Sequence, residues 1–299
     1  MVKVTATVKV RVWKGGGMNI PIARSIGFIS DMHVGSTVAI WPADYGTPEG
    51  VVVKAGEGQL KLLEYWEEVA RQFKKMNVDT VVLNGDCLEG LNRKEGGRGL
   101  MTSNLDHQLE ACYELLRDMI PKKNTKIWVF SGSTYHESID TQIHQKLVDM
   151  LLPHYPFAKF FGYMANIELN GTKHQQHGDE ITLNIQHGFG GGSIYRTTKM
   201  DREALFVGYA EYAKKIEKRI DVIVRGHLHY YAHLDMDKLV LQLPCWKAFE
   251  MSRIFLRNYG RMQADIGAVV LQVSKNGELF VRRLTDFELP NISDSFVRG

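Results

Sequence analysis

Cysteine is scarce and scattered: the 299 residues hold three, Cys87, Cys112 and Cys245, with no C-x-x-C pair among them. That odd, wide spacing argues against a disulfide framework or a zinc ribbon and makes a reducing cytoplasm the expected location. No apolar run approaches the roughly 20 residues of a membrane-spanning helix. Met1 to Val12 lack the unbroken apolar stretch of a signal peptide, because Lys3, Thr5, Thr7, Lys9 and Arg11 interrupt it. Neither sign of charge dominates. Lys and Arg number 37 against 34 Asp and Glu, and the resulting +3 does not by itself imply nucleic-acid or membrane binding. Repeats and low-complexity linkers are also missing. What is present, 44% hydrophobic and 24% charged residues, is the composition of a globular chain. A chain of this length buries roughly 75% of its unfolded surface, so a metal is expected to do chemistry here and not merely to hold the fold.

Val2, Val4, Ala6, Val8, Val10 and Val12 alternate with polar residues up to Gly15-Gly16-Gly17. This predicts a β extension over residues 1–20, which either pairs across a homo-oligomer interface or covers a sheet edge. Residues 21–299 read as a single domain. Strands are expected at Ser25–Ser30, Thr80–Asn84, Lys126–Ser131, Ile181–Gln186 and Asp221–Arg225. Helices are expected at Gln59–Lys75, around Leu105 to Met119 before Pro121, at Ser138–Leu152 and at Met200–Arg219. Further strands at Leu239–Leu243, Ile266–Ser274 and Leu279–Leu284, the last two joined by an Asn276-Gly277 turn, make the remainder β-rich.

Chemistry-bearing residues gather where the predicted strands end. Asp31-Met32-His33 follows the first and Gly85-Asp86 the second. Gly132-Ser133-Thr134-Tyr135-His136, His187-Gly188 and Gly226-His227-Leu228-His229 follow the next three. In open α/β sheets the carboxyl ends of the strands form the ligand crevice, so five such segments can converge. Each alone is weak; their order and their N/O ligand character together point to a metal site. Two divalent cations ~3.5–4 Å apart need an anionic bridge, for which Asp86 is suited. Alternation in an extended chain would send His227 and His229 to one side. The N/O donor set favours Mn, Zn, Fe or Ni.

This order, D-x-H, G-D, G-x-x-x-H, H-G and G-H-x-H, resembles the calcineurin-like metallophosphoesterase family over about Ser25 to Tyr231. The insert from Val34 to Gly58 and the segments 92–99 and 188–196 resemble a phage- and prokaryote-associated branch of it. The resemblance implies a four-layer αββα sandwich of two mixed β-sheets flanked by helices. It implies one ion held by Asp31, His33, Asp86 and His229, a second held by Asp86, His187 and His227, and a metal-bridging hydroxide that attacks phosphorus in line. The family's Gly-Asn-His motif is altered here. Ser133 stands where Asn would bind the second metal, and His136 would supply the catalytic imidazole two residues later. A hydroxyl is a poorer ligand than an amide carbonyl, so the second metal is expected to bind more weakly.

The Gly-rich loop bearing Arg93, Lys94 and Arg98 follows the G-D motif and reads either as a phosphate-contacting loop or as a solvated one. Arg93, Arg98, Tyr135 and Arg196 are the expected substrate contacts. The expected activity is hydrolysis of a phosphodiester, nucleic acid or nucleotide, with two ions, Mn foremost. A phosphomonoesterase with the same site and a non-catalytic binding scaffold are the alternatives. His177-Gly178-Asp179 reads as a turn. His107, His144 and His154 read as solvated or packed, and Cys87 as packed. On the helix from Met200, Leu205, Tyr209, Tyr212 and Ile216 form the expected buried stripe, with Lys214, Lys215, Lys218 and Arg219 solvated.

Overall fold

The computed structural model describes residues 21–93, 96–136, 142–188, 190–191, 195–248 and 264–285. The expected N-terminal β extension, and the oligomer contact read from it, lie outside these residues. Thirteen strands and four helices are found among the described residues. Strands β1 (Ile22–Ile29), β4 (Thr80–Asn84), β5 (Lys126–Phe130) and β6 (Ala158–Phe160) pair in parallel. The antiparallel hairpin of β12 (Ala268–Ser274) and β13 (Leu279–Leu284) extends that sheet beside β1, giving the order β13-β12-β1-β4-β5-β6. A second mixed sheet has the order β10-β11-β9-β8-β7. Its strands are β7 (Met164–Lys173), β8 (Glu180–Gln186), β9 (Val222–Arg225), β10 (Ala232–Asp235) and β11 (Leu239–Gln242). The short hairpin of β2 (Asp44–Gly46) and β3 (Val52–Lys54) lies within the insert after the first motif.

Strand alternation assigns the layers. In β4, Val81 and Leu83 join the core shared with Leu62, Trp66, Val69 and Phe73 of helix α1 (Glu57–Lys75). The same core takes Leu109, Cys112 and Leu116 of α2 (Leu105–Met119) and Leu147 and Leu151 of α3 (Gln142–Leu151). Val82 points the other way, into a second core with Phe28, Phe130, Leu183, Ile185, Val222 and Val224, which lies between the two sheets. In β9, Ile223 turns outward and meets Met200 and Val207 of helix α4 (Thr198–Tyr212). The result is helices, sheet, sheet, helix, as the period-2 pattern of strands buried on both faces requires. Each large apolar side chain fully buried in this way contributes about 1.5–3 kcal/mol.

Helix α4 departs from expectation twice. It ends at Tyr212 and not at Arg219, because Lys214 adopts a left-handed φ of 55°. Neither Gly nor Pro marks that end in the sequence. Leu205, Tyr209 and Tyr212 are exposed, and the helix docks instead through Met200 and Val207, which match Ile223 and Val240 of the sheet; of the expected stripe only Ile216 packs there. Strands β2, β3, β6, β7 and β10 are not among the expected ones. β7 is an edge strand whose residues are mostly exposed or half-buried, so its composition carries little apolar signal.

Candidate metal centre

The carboxyl ends of β1, β4, β5, β8 and β9 meet at one place. Backbone hydrogen bonds join the segments that leave them: Asp31 donates to the Gly85 carbonyl (3.1 Å), His33 to that of Asp86 (2.9 Å) and Gly226 to that of His187 (2.7 Å). Eight described non-glycine residues have positive φ, and five of them are Asp31, His33, Asp86, His227 and His229. Such backbone costs on the order of 1–3 kcal/mol per residue and persists only where the surroundings enforce it. The strain therefore falls mostly on Asp and His residues expected from the sequence to ligate metal. It also corrects the alternation argument for His227 and His229. Gly226–Tyr230 is bent, and left-handed turns at both histidines aim their rings.

Two glycines admit this crowding. A Cβ on Gly226 would lie 2.1 Å from Ser30 Oγ and 2.8 Å from Asp31 Oδ2. One on Gly85, at φ 78°, would lie 2.5 Å from Gly132 Cα and 2.8 Å from His187 Nδ1. Side chains can converge here only because these positions have none.

The described residues form two adjoining groups whose ligand atoms lie within 4.8 Å of one another, Asp31 with His33 and His229, and Asp86 with His187 and His227. Asp31 is used asymmetrically. Its Oδ2 accepts from Ser30 Oγ (2.6 Å) and the His227 amide (2.9 Å). Its buried Oδ1 has no hydrogen-bond partner, although Nε2 of His229, His187 and His33 stand 3.2, 3.7 and 3.8 Å away. Asp86 Oδ1 accepts from the Ser133 amide (2.7 Å) and from Ser133 Oγ (3.0 Å), while Oδ2 lies 3.0 Å from His187 Nε2.

Each fixed imidazole has its Nδ1 occupied. His187 donates to the Asn84 carbonyl (2.6 Å) and His33 to Glu89 (2.9 Å), which leaves both Nε2 atoms facing inward. His33 Nε2 and His229 Nε2 are 3.1 Å apart. This arrangement, with the outer nitrogen held and the inner one presented, fixes the tautomer of a metal-binding histidine. An orphaned buried carboxylate oxygen ringed by inward nitrogens suits a divalent cation, which would satisfy all of them together.

Charge coupling is strong. Burial works against ionisation of Asp31 and Asp86, but the neighbouring His187, joined at Asp31 by His229, holds both carboxyls well below their usual range. For His187, burial is outweighed by Asp86 and Asp31, and the imidazole rises to about 10. Burial and Lys247 lower His33, but the facing carboxylates of Asp31 and Glu89 raise it to about 9. Burial and then His187 depress His227 to about 4.

Ser133 thus stands over Asp86 as a donor. His136 donates from Nδ1 to the Glu89 carbonyl (2.9 Å), sits edge-on to His33 with ring centroids 4.4 Å apart, and forms a further close group with His33 and Asp86. Burial, with His33 next, lowers its pKa. The Tyr135 hydroxyl donates to Asn92 (3.0 Å), at the base of the loop on which Arg93 and Arg98 are exposed. Lys94 lies outside the described residues. Arg196 pairs with Asp265 (2.8 Å) and lies over the Tyr230 ring. Cys87 and His144 pack internally as expected.

Two residues escaped the sequence reading. Glu89, buried, holds His33 and is itself held by Lys247, whose Nζ lies 3.1 Å from both carboxylate oxygens. Glu89 had a signal, a carboxylate three residues after Asp86. Lys247, on the far side of the chain's second half, had none.

No family model and no curated protein matches the chain. Among solved structures, it is similar to a dimetal phosphatase from Danio rerio, at 9% identity over 88% of this chain and 100% of that one, with a TM-score of 0.44. It is also similar to a predicted phosphoesterase from Streptococcus pneumoniae (14% identity, 86% and 92% covered, TM-score 0.32) and to a nuclease from Pseudomonas putida (12%, 86% and 86%, 0.34).

Proposed function

We propose that this chain hydrolyses phosphoesters at a site for two divalent cations, with phosphodiesters of nucleic acid or nucleotides as the preferred substrates and Mn²⁺ as the preferred ion. The observation that carries the proposal is the pair of adjoining groups around Asp31 and Asp86, with Asp31 Oδ1 buried and unsatisfied. Asp31, His33 and His229 would hold one ion and His187 and His227 the other, with Asp86 between them. When bound, the ions supply Lewis-acid charge to a phosphoryl oxygen and lower the pKa of water.

The chain's own residues set the rest. Ser133 orients Asp86, and Glu89 orients His33. His136, neutral and anchored through Nδ1, offers Nε2 as the group that handles a proton at the ester oxygen. Arg93, Arg98, Arg196 and Tyr135 are the proposed contacts for phosphate oxygens and the leaving group. Comparing a diester with a monoester on protein stripped and reloaded with Mn²⁺ tests the reading. Turnover of the monoester alone would replace it with a phosphomonoesterase.

A further inference from the structure

A second histidine cluster lies at the opposite end of the five-stranded sheet. His174 and His177 occupy the turn between β7 and β8, and Asp221 immediately precedes β9. The metal centre is built where β8 and β9 end, and this cluster where they begin. The seven residues of β8 put roughly 20 Å between the two. One ligand atom from each of His174, His177 and Asp221 lies within 4.8 Å of the others. We propose that these three residues form a separate site for a single borderline transition cation, Zn²⁺ foremost, which clamps the β7–β8 turn to the start of β9.

The cluster is built before any ion arrives. The turn is closed by the His174 amide donating to the Asp179 carbonyl (2.7 Å) and the Gly178 amide donating to the His174 carbonyl (2.9 Å). The β12–β13 turn backs it so closely that a Cβ on Gly277 would lie 1.7 Å from the Lys173 carbonyl oxygen. The two imidazole rings lie parallel, 9° apart with centroids separated by 4.4 Å. Asp221 is buried, and its Oδ2 is fixed by the Thr182 amide (2.9 Å). Its Oδ1 faces His177 Nε2 at 2.8 Å.

Two imidazoles and one carboxylate, with no thiolate, select Zn²⁺, Co²⁺ or Ni²⁺ over soft ions, and a tetrahedral ion would complete its shell with water. Metal–nitrogen distances of about 2.0–2.1 Å imply ligand edges of about 3.3 Å, so His177 and Asp221 must part slightly. His177, partly exposed, has the freedom to do so. With Nε2 on the ion, its proton moves to Nδ1, which must then exchange the Asp179 amide it accepts from (3.3 Å) for Asp179 Oδ2 at 3.5 Å. The Arg219 guanidinium, 3.6 Å from Asp221 Oδ1, opposes a cation, but one of its nitrogens is engaged by Asp237 at 2.8 Å.

The test uses the full chain carrying Asp31→Ala, Asp86→Ala and His187→Ala, so that neither ion position of the first site keeps more than two ligands. Metal-stripped protein of this background, titrated with Zn²⁺ by calorimetry and counted by elemental analysis, is expected to take up one equivalent. Adding His174→Gln or His177→Gln should weaken that binding at least about 100-fold. His174→Gln spares the hydrogen bond to Asp221 and so keeps the test valid if His177→Gln misfolds. In the unaltered chain, nitrogen NMR of the histidines should show the His177 proton moving from Nε2 to Nδ1 on Zn²⁺ addition, and His174→Gln should leave phosphoester turnover unchanged. No uptake by the background chain, or uptake indifferent to both substitutions, would overturn the proposal.

Discussion

Lys247 and Glu89 are separated by 158 residues, yet the ammonium lies 3.1 Å from both carboxylate oxygens, and both side chains are almost fully buried. Glu89 in turn holds His33 Nδ1 at 2.9 Å. The last third of the chain is thereby fastened behind the first motif's histidine. Lys247→Met should destabilise the fold by about 3–5 kcal/mol, because it leaves a buried carboxylate without its cation. The double variant with Glu89→Gln should recover much of that loss in urea unfolding. A near-neutral single variant would show that Glu89 is satisfied without Lys247.

Gly226→Ala places a methyl group against Ser30 Oγ and Asp31 Oδ2. The shift this forces on Asp31 is expected to lower turnover at least about 100-fold, since displacements of about 1 Å have that effect on catalytic groups. Circular dichroism should still show the native strand and helix content. An active, metal-retaining Gly226→Ala chain would mean that Asp31 tolerates displacement.

Ser133 puts both its amide and its hydroxyl on Asp86, so the hydroxyl is a donor to the proposed bridge. Stepwise removal of metal by chelator, followed by titration, should resolve two clearly different affinities. Ser133→Ala should loosen the weaker one by about 1 kcal/mol, the worth of one hydrogen bond. Equal affinities for the two ions would contradict this.

Asn104 caps α2 by accepting from the amides of Asp106 (2.9 Å) and His107 (3.4 Å). Asn104→Ala should cost about 1 kcal/mol in thermal or urea unfolding and leave turnover unchanged. A drop in turnover without a drop in stability would tie this helix end to the site.

The strand ends and their order were legible because short apolar runs followed by Asp, His and Gly are local signals, and the observed Thr80–Asn84 and Leu279–Leu284 match the expected spans. The face of α4 was not, since burial of Val207 instead of Tyr209 is decided by the sheet it meets. The left-handed backbone at Asp31, His33, Asp86, His227 and His229 also left no trace in composition, because tertiary contacts impose it against local preference. Lys247 illustrates the same limit: a buried lysine is visible only through the carboxylate it meets.

The most direct test of the central claim is hydrolysis of bis-p-nitrophenyl phosphate and p-nitrophenyl phosphate by chelator-stripped protein reloaded with Mn²⁺, with Asp86→Ala as the blank. The account predicts diester turnover that needs both the metal and Asp86. Normal turnover by Asp86→Ala, or silence on both esters from a chain that binds no metal, would contradict it.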